Sequence, residues 1–535
     1  MNALKTFYAD GKLRVGNLKY GKTRASNINL ALKADGEKLS VSPLSAKIDD
    51  SNVKGSFAIS QFANPKYTFD LDIDNLDVDK YAASNATGDG AAKPAAASNQ
   101  SADLSALKAL NADGSLRVGH LKYGKTNASN VRVDLKSDGQ KLSLSPLAAK
   151  IDDSQVNLKL GITRFDNPVY NFDVNIDKLD ADHYIAKSEG KSSGDTSIDL
   201  SALKKLNATG EAKIGWLKLA NVKTENVRLG LKTADGIATL SPFAANLYQG
   251  SMDGTLKVDA RATPSISFKQ SMKGVSVGPL LVDAIKNDML SGTGTVNIDV
   301  TTQGNSVGAL KKGLLGNASL NLADGALKGV DIAGSIRDLK SKINVFKTKD
   351  TSADKTKKTD FSELTATFDI KNGVAHNDDL AMKAPILRLA KGDSRGDIDI
   401  GNEKINYTAK PTVVKSLKGQ GGAELDDLSG IAIPIKITGT FSDPKYGMDF
   451  SAIATGLAQS KLLDKVGGDK ADALKGVLNG NPKDALGGLL GKKKPSAEAA
   501  SVPVDPNAAP AEEPKSVEDK AKEKAEKKLK KLFKF

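Results

Sequence analysis

YADGKLRVGNLKYGKT, residues Tyr8–Thr23, returns almost letter for letter as NADGSLRVGHLKYGKT, residues Asn111–Thr126. A weaker third copy runs from Asn207 to Lys218. The copies are spaced by roughly 100 residues, and self-similarity at a fixed spacing indicates like units stacked in a row. Such an array forms a long surface more readily than a single catalytic cleft. The first functional question is therefore what lies along that surface.

Each of the first two copies is followed by a strand pattern in which apolar and polar residues alternate. A period of two places alternate side chains on opposite faces of a sheet, so all the apolar side chains of such a strand share one face. The polar positions are mostly Asp and Asn, as expected for a face in water. The apolar positions are Tyr67, Phe69, Leu71 and Ile73 in the first copy and Tyr170, Phe172, Val174 and Ile176 in the second.

Tight turns are indicated by two kinds of residue pair between the apolar runs. Asn and Gly tolerate positive φ, and Pro fixes φ in a turn. We therefore predict antiparallel strands in a meander, with most of the chain in β-structure. The pairs are Asn64-Pro65 and Asn167-Pro168, together with Asp10-Gly11, Asp35-Gly36, Asp113-Gly114 and Asp138-Gly139.

The composition is that of a folded protein without cysteine chemistry. Of 535 residues, 39% are hydrophobic and 26% are charged, and there is no cysteine. Disulfides, thiolate metal sites and cysteine nucleophiles are thereby excluded. The net charge of +13 comes from lysines scattered through the repeats, and they do not cluster with aromatic residues. We therefore predict no nucleic-acid partner.

No constellation of residues supports catalysis or metal binding. The acidic strand Asp70–Asp74 begins like a calcium loop, but Asn75 stands where the loop needs Gly and Tyr81 where it needs Glu. These acids are predicted to form the wet side of a strand. The three histidines are far apart in the sequence. We predict no catalytic residues, no cofactor and no metal, and we expect that the protein is not an enzyme.

Composition and periodicity divide the chain into segments. Helical spacing marks 280–285, 332–343 and 453–466, and the tail at 515–535 is basic and amphipathic. The predicted segments are a first β repeat (1–81), a low-complexity loop (82–102), a second β repeat (103–186), a loop (187–196), a third and degenerate repeat with a helix (197–316), a C-terminal β region (317–450), a helical segment (451–491), a disordered Pro/Ala linker (492–514) and a basic amphipathic tail (515–535).

Four stretches together resemble the AsmA family of Gram-negative envelope proteins in their order and spacing. They are LSALKALNADGSLRVG (Leu104–Gly119), LYQGSMDGTL (Leu247–Leu256), LGNASLNLADGALKGVD (Leu315–Asp331) and IPIKITGTFSDPKY (Ile433–Tyr446). The resemblance implies an elongated periplasmic body of stacked β-units held to the inner membrane by one N-terminal helix. The sequence shows no such helix and no export signal, so we expect an amino-terminal truncation.

The resemblance also implies a function. The family is similar to bridge-like lipid transfer proteins, whose β-sheet curls into an apolar groove. The resemblance favours a non-enzymatic role in outer-membrane homeostasis, with phospholipid and the two membrane surfaces as partners. An envelope protein partner is also expected. Alternation alone favours a closed sandwich over an open groove, and the resemblance reverses this preference. A scaffold for outer-membrane protein assembly through strand edges is the alternative function. The predicted groove wall comprises the eight residues above with Ile431, Ile433, Ile435 and Ile437.

Overall fold

The structure is a computed structural model that describes residues 2–21, 23–82, 104–124, 126–184, 197–341, 351–352, 354–415 and 428–448. Its strands belong to one long mixed sheet that does not close on itself. The predicted mainly β fold is thus confirmed. The predicted helical segment at 451–491, the linker at 492–514 and the tail at 515–535 lie outside the described residues, as do most of the two predicted loops.

The first fifteen strands form three units of five. Within a unit, consecutive strands are antiparallel and joined by short turns, as the sequence predicts. The strands are β1 (Tyr8–Tyr20), β2 (Thr23–Asp35), β3 (Lys38–Ile48), β4 (Ser51–Ser60) and β5 (Lys66–Asp77); β6 (Asn111–Tyr123), β7 (Thr126–Asp138), β8 (Lys141–Ile151), β9 (Ser154–Thr163) and β10 (Val169–Asp180); β11 (Asn207–Leu219), β12 (Val222–Ala234), β13 (Ile237–Leu247), β14 (Gly250–Asp259) and β15 (Ser265–Ser276).

The remaining strands continue the sheet and then fold it into a compact end. They are β16 (Leu290–Gln303), β17 (Leu315–Gly329), β18 (Thr351–Ser352), β19 (Asp354–Lys371), β20 (Val374–Asn377), β21 (Ala381–Lys383), β22 (Leu387–Leu389), β23 (Ser394–Asp399), β24 (Lys404–Ala409), β25 (Thr412–Val413), β26 (Ile435–Thr440) and β27 (Pro444–Met448). The α-helices of the described residues are α1 (Val78–Ala82), α2 (Val277–Ile285), α3 (Val307–Lys312) and α4 (Ile332–Ser341). Short 3-10 helices occupy Asn2–Thr6, Ser105–Ala109, Ala181–His183 and Ser201–Lys205.

The units join through parallel strand pairs, which the sequence reading did not predict. β5 pairs in parallel with β6, and β10 pairs in parallel with β11. The predicted antiparallel meander therefore holds within each unit, and the two junctions are parallel. The physical reason is that a parallel pair requires a crossover connection between its two strands, and alternation within a strand gives no signal for one.

The turn predictions are confirmed in part. The turn before β5 closes with Asn64 N–H donating to the Gln61 carbonyl, and Gly36 adopts φ +81° after Asp35. In the second unit, the Asn167 N–H donates to the Arg164 carbonyl, and Gly139 adopts φ +81° after Asp138. However, Asp10-Gly11 and Asp113-Gly114 lie inside β1 and β6, where no turn occurs. At Gly114 the glycine accommodates a close approach of other atoms, as the junction packing below shows.

Two helices predicted from their spacing are present. α2 contains Leu280, Leu281, Ala284 and Ile285, and it follows β15 as α1 follows β5. α4 begins at Ile332 and buries Ile336 completely. Its first turn is held by Thr359, whose hydroxyl donates to the Val330 carbonyl over 2.8 Å and accepts from the Ile332 N–H over 3.1 Å.

The C-terminal strands enclose a closed hydrophobic core. Six apolar side chains there are at most 1% exposed, in contrast with the half-buried faces of the repeats. The long strand β19 makes this possible because it pairs with β17 on one edge and with both β20 and β21 on the other. The sheet thereby branches, and its branches pack against each other. The six side chains are Leu322, Ile336, Leu387, Val413, Leu428 and Ile433.

Candidate functional site

One apolar row crosses sixteen consecutive strands at the same register. Each member is the direct strand partner of the next, and the row passes through both parallel junctions without interruption. Every position is apolar or glycine. From β1 to β16 the row, here called the Phe row, reads Gly11, Leu32, Val41, Phe57, Phe69, Gly114, Leu135, Leu144, Leu160, Phe172, Gly210, Leu231, Leu240, Leu256, Phe268 and Val300.

The Phe row is the middle of a larger apolar face. Tyr67 and Tyr170 lie on one side of the row, and Leu71 and Val174 lie on the other. From β2 to β16 every member of the row is half-buried. In a closed sandwich a second sheet covers such side chains, as in the C-terminal core. The described residues provide no second sheet over this face, so it is an open apolar surface.

Small clusters close the face at both ends of the strands. At one end, Leu104 and Leu107, at the 3-10 helix Ser105–Ala109, pack with Tyr170 against Leu142 and Phe165. At the other end, a cluster around Ile214 and Val227 includes Ile176 and Leu179 in its packing. Phe172 and Val174 lie between these two clusters. Around the second junction, the apolar face is therefore a band with a packed cluster at each edge.

The parallel junctions depend on glycine. The ring of Phe69 lies against Gly114, where an added Cβ would be 2.6 Å from two ring carbons. The ring of Phe172 has the same relationship with Gly210, again at 2.6 Å. Real Cβ atoms do not approach other atoms so closely, and only glycine admits the ring. This packing explains why Asp113-Gly114 forms part of a strand.

The opposite face is polar and its charges pair across the junction. Arg117 on β6 contacts the carboxylates of Asp70 and Asp72 on β5, with a distance of 3.5 Å from Nε to Asp72 Oδ2. The hydrogen bond from Arg117 to Asp70 raises the pKa of the guanidinium. The acids that resemble a calcium loop therefore have a cationic partner from the neighbouring unit.

Two lysines at the edge of the junctions are also paired with carboxylates. Lys122 Nζ lies 3.3 Å from Asp77 Oδ2, and Lys218 Nζ lies 3.0 Å from Asp180 Oδ2. The hydrogen bond to Asp180 raises the pKa of Lys218. Both lysines thus serve the contact between units in this structure.

The isoleucines near the C-terminus do not share the open face. Ile433 and Ile435 are 0% and 4% exposed within the closed core, and Ile431 and Ile437 pack against it. Their assignment to a groove wall is therefore corrected. They alternate like the residues of β5, but β21, β22 and α4 supply a second layer that covers them. The other eight predicted residues lie on the open face, with Tyr170 and Ile176 at its two boundaries.

Other kinds of site receive little support in the described parts of the chain. A shallow depression of about 770 Å³ at the first junction is lined mainly from the polar face by residues such as Ser56 and Asp134. Among the described residues, no group of His, Asp and Glu is arranged to hold a metal ion. No helix in the same ranges combines the length and hydrophobicity needed to cross a bilayer.

The fold and face define a class: a repeat protein whose units add strands to one open sheet with a continuous apolar surface. The sequence profile of the AsmA family matches residues 17–380, which is most of the chain, and the chain belongs to this envelope-associated family. No curated protein and no solved structure matches the chain significantly.

Proposed function

We propose that this protein binds phospholipids by their acyl chains on the apolar face and conducts them between the inner and outer membranes as a non-enzymatic component of the periplasm. The observation that carries the proposal is the unbroken Phe row across both parallel junctions. Membership of an envelope-associated family and the long open sheet are compatible with this role.

The chemistry of the face suits an acyl chain. A hydrocarbon chain needs an apolar surface, contributes about 25 cal/mol for each Å² removed from water, and requires no specific hydrogen bond. The Phe row supplies such a surface from β2 to β16, with the rings of Phe69 and Phe172 lying against the two junction glycines, and its members remain half-buried. An extended sheet adds roughly 4.8 Å per strand, so sixteen strands provide a path much longer than one acyl chain. Several lipids can therefore lie along it.

Positions on the polar face provide the control for a photocrosslinking test of lipid binding. We would place a photoreactive amino acid at Leu71 or Val174 on the apolar face, and at Asp72 or Asn175 on the polar face. These pairs of positions are neighbours in sequence but point to opposite sides of the sheet. After expression in the periplasm and irradiation, we expect phospholipid adducts from the two apolar positions. Equal adducts from both faces, or none from any position, would contradict the proposal.

The number of lipids bound to one chain distinguishes a continuous path along the apolar face from a single binding site. Native mass spectrometry of the protein purified in mild detergent should show several phospholipids bound to one chain. A single lipid would indicate a local pocket, and a protein free of lipid would argue against the face as a binding surface. Lipid extraction followed by analysis of headgroups would identify the class of lipid.

A scaffold for outer-membrane protein assembly is the second candidate. The observation that favours it is that β1 pairs with β2 alone within the described residues, so its other edge offers backbone groups to a partner strand. A photoreactive amino acid at Asn17 on β1 should then capture protein, whereas positions on the apolar face capture lipid.

A further inference from the structure

Strand β1 carries the same set of residues that forms the receiving side of both parallel junctions. Gly11, Arg14, Gly16 and Lys19 occupy the repeat positions of Gly114, Arg117, Gly119 and Lys122 on β6. In β6 all four of these residues contact the preceding unit across the junction. Yet the part of the chain that the structure describes places no strand against this edge of β1.

The two glycines show how specialised this edge is. A Cβ on Gly114 would be 2.6 Å from the Phe69 ring, and one on Gly119 would be 2.6 Å from the Asp74 carbonyl oxygen. On Gly11 and Gly16, the same Cβ meets nothing within 4 Å. Glycine in a strand interior weakens it, and neither Gly11 nor Gly16 has positive φ. The contacts within this unit therefore do not explain why these two positions are glycine.

Apolar side chains of β1 are more exposed than the equivalent side chains of β6, and a strand paired with β1 would remove this difference. Leu13 is 52% exposed, whereas the equivalent Leu116 is half-buried between β5 and β7. Val118 is only 1% exposed, and its equivalent Val15 is half-buried. Leu18 adds a second exposed leucine at 54%. These differences arise because β6 has a neighbour on both sides.

We propose that the edge of β1 is a docking site for one further β-strand, paired in parallel and built like β5. Register with β6 defines the chemistry of this strand. It places an aromatic ring on Gly11, as Phe69 lies on Gly114, and it presents carboxylates to Arg14, as Asp70 and Asp72 do to Arg117. Docking extends the Phe row by one strand, and it does not depend on whether the face binds lipid.

Charge favours a β5-like strand over a β10-like strand. Across the second junction, β11 carries Lys213 where β6 carries Arg117, and the residue opposite Lys213 is Asn175 instead of an aspartate. Arg14 occupies the repeat position of Arg117, so the strand that pairs best with it carries an aspartate at the position of Asp72. Within the described residues, no ion pair involves Arg14. A second copy of this chain is a poor source of the strand, since its own β5 and β10 are already paired on both edges.

The test uses a fluorescent peptide with the sequence of residues 66–79 and the purified full chain. We expect saturable binding by fluorescence anisotropy. The peptide carrying Asp72→Asn should bind about two- to fivefold more weakly, the effect of one exposed ion pair. The protein variant Gly11→Leu should bind at least about tenfold more weakly because its side chain occupies the space of the Phe69 ring. This variant should fold normally, since a Cβ on Gly11 has no neighbour within 4 Å.

Disulfide trapping determines the register. The natural chain has no cysteine, so a protein with Leu13→Cys contains a single thiol. Leu71 is the partner of Leu116 in the first junction. A peptide with Leu71→Cys, added as its thiopyridyl disulfide, should exchange rapidly with the protein thiol and release the aromatic thiol. A peptide with Asp77→Cys places its thiol about 20 Å away in the parallel register and should react much more slowly.

The outcomes decide the proposal. Saturable binding that is weakened by Gly11→Leu, with trapping preferred at Leu71→Cys, supports a parallel docking strand. Absence of binding, binding unaffected by Gly11→Leu, or faster trapping at Asp77→Cys would overturn it. The lipid measurements above are independent, since photoadducts on the apolar face are obtained without the peptide.

Discussion

Phe69 and Gly114 lie directly opposite each other on two parallel strands, and the ring of one occupies the space that a side chain on the other would fill. This pair joins the first unit to the second. Phe172 and Gly210 repeat the arrangement at the next junction. The continuity of the apolar face therefore depends on two glycines that have no apolar side chain of their own.

Substitution of Gly114 by alanine should destabilise the junction. The new methyl group would lie 2.6 Å from the Phe69 ring, which must shift together with the strand. Overpacking of this kind costs about 1–3 kcal/mol. Gly11→Ala is the matched control, because a Cβ there meets nothing within 4 Å and the effect should be within about 0.5 kcal/mol of zero. Urea unfolding followed by circular dichroism measures both, and equal effects would contradict this account of the junction.

A charge on the Phe row should interrupt lipid binding. Phe172→Asp places a carboxylate in the middle of the proposed acyl path, and an unpaired charge in an apolar environment is strongly disfavoured. We expect phospholipid adducts at a photoreactive residue in place of Val174 to fall by about tenfold or more, which corresponds to 1.4 kcal/mol. Asn171→Asp adds the same charge on the exposed opposite face and should leave the adducts unchanged. Undiminished adducts in a folded Phe172→Asp protein would count against the path.

The local parts of this fold were predictable from the sequence. Alternation in β5 and β10, the turns before them and helix α2 all follow from residues near one another in the chain. The parallel junctions were not predictable, because they join strands that are separated by a low-complexity segment. The signal that indicates them is Gly114, an isolated glycine within an alternating pattern, which marks a close approach rather than a turn.

The limits of alternation are clearest in the comparison of Leu71 with Ile433. Both occupy the apolar phase of a strand pattern, yet Leu71 is half-buried on the open face and Ile433 is 0% exposed in the closed core. Periodicity reports which face a side chain occupies. It contains no information about what covers that face, because the covering layer comes from distant parts of the chain.

Because of this difference, the two alanine substitutions should affect stability and lipid binding differently. Ile433→Ala creates a cavity in a packed core and should lower the free energy of unfolding by about 2–5 kcal/mol. Leu71→Ala removes a half-buried side chain and should cost about 1 kcal/mol. Under conditions where both proteins are folded, only Leu71→Ala should reduce lipid adducts at Val174. The pair separates a stability role from a binding role, and a loss of lipid specific to Ile433→Ala would place the path in the C-terminal core.

The buried Tyr407 on β24 predicts how the C-terminal strands respond to alkaline pH. Its hydroxyl donates to Asn377, which is 2% exposed, and burial raises the pKa of Tyr407 to about 12. In the unfolded chain the pKa is near 10. Between these pH values the folded state retains a proton that the unfolded state has lost, so the free energy of unfolding falls as the pH rises. The stabilising contribution of the Tyr407 pKa shift is therefore complete below pH 10 and disappears as the pH rises toward 12.

Tyr407→Phe removes this titration and also leaves the side-chain amide oxygen of Asn377, Oδ1, without the Tyr407 hydroxyl donor. At pH 8 the variant should be less stable by about 1–3 kcal/mol. The difference from the natural protein should narrow as the pH rises from 10 toward 12, because only the natural protein loses the Tyr407 contribution. Tyr248, whose pKa burial also raises to about 12, is common to both proteins and cancels in the comparison. Urea unfolding between pH 8 and 11.5 measures the difference, and a gap that stays constant would show that Tyr407 does not titrate differently in the two states.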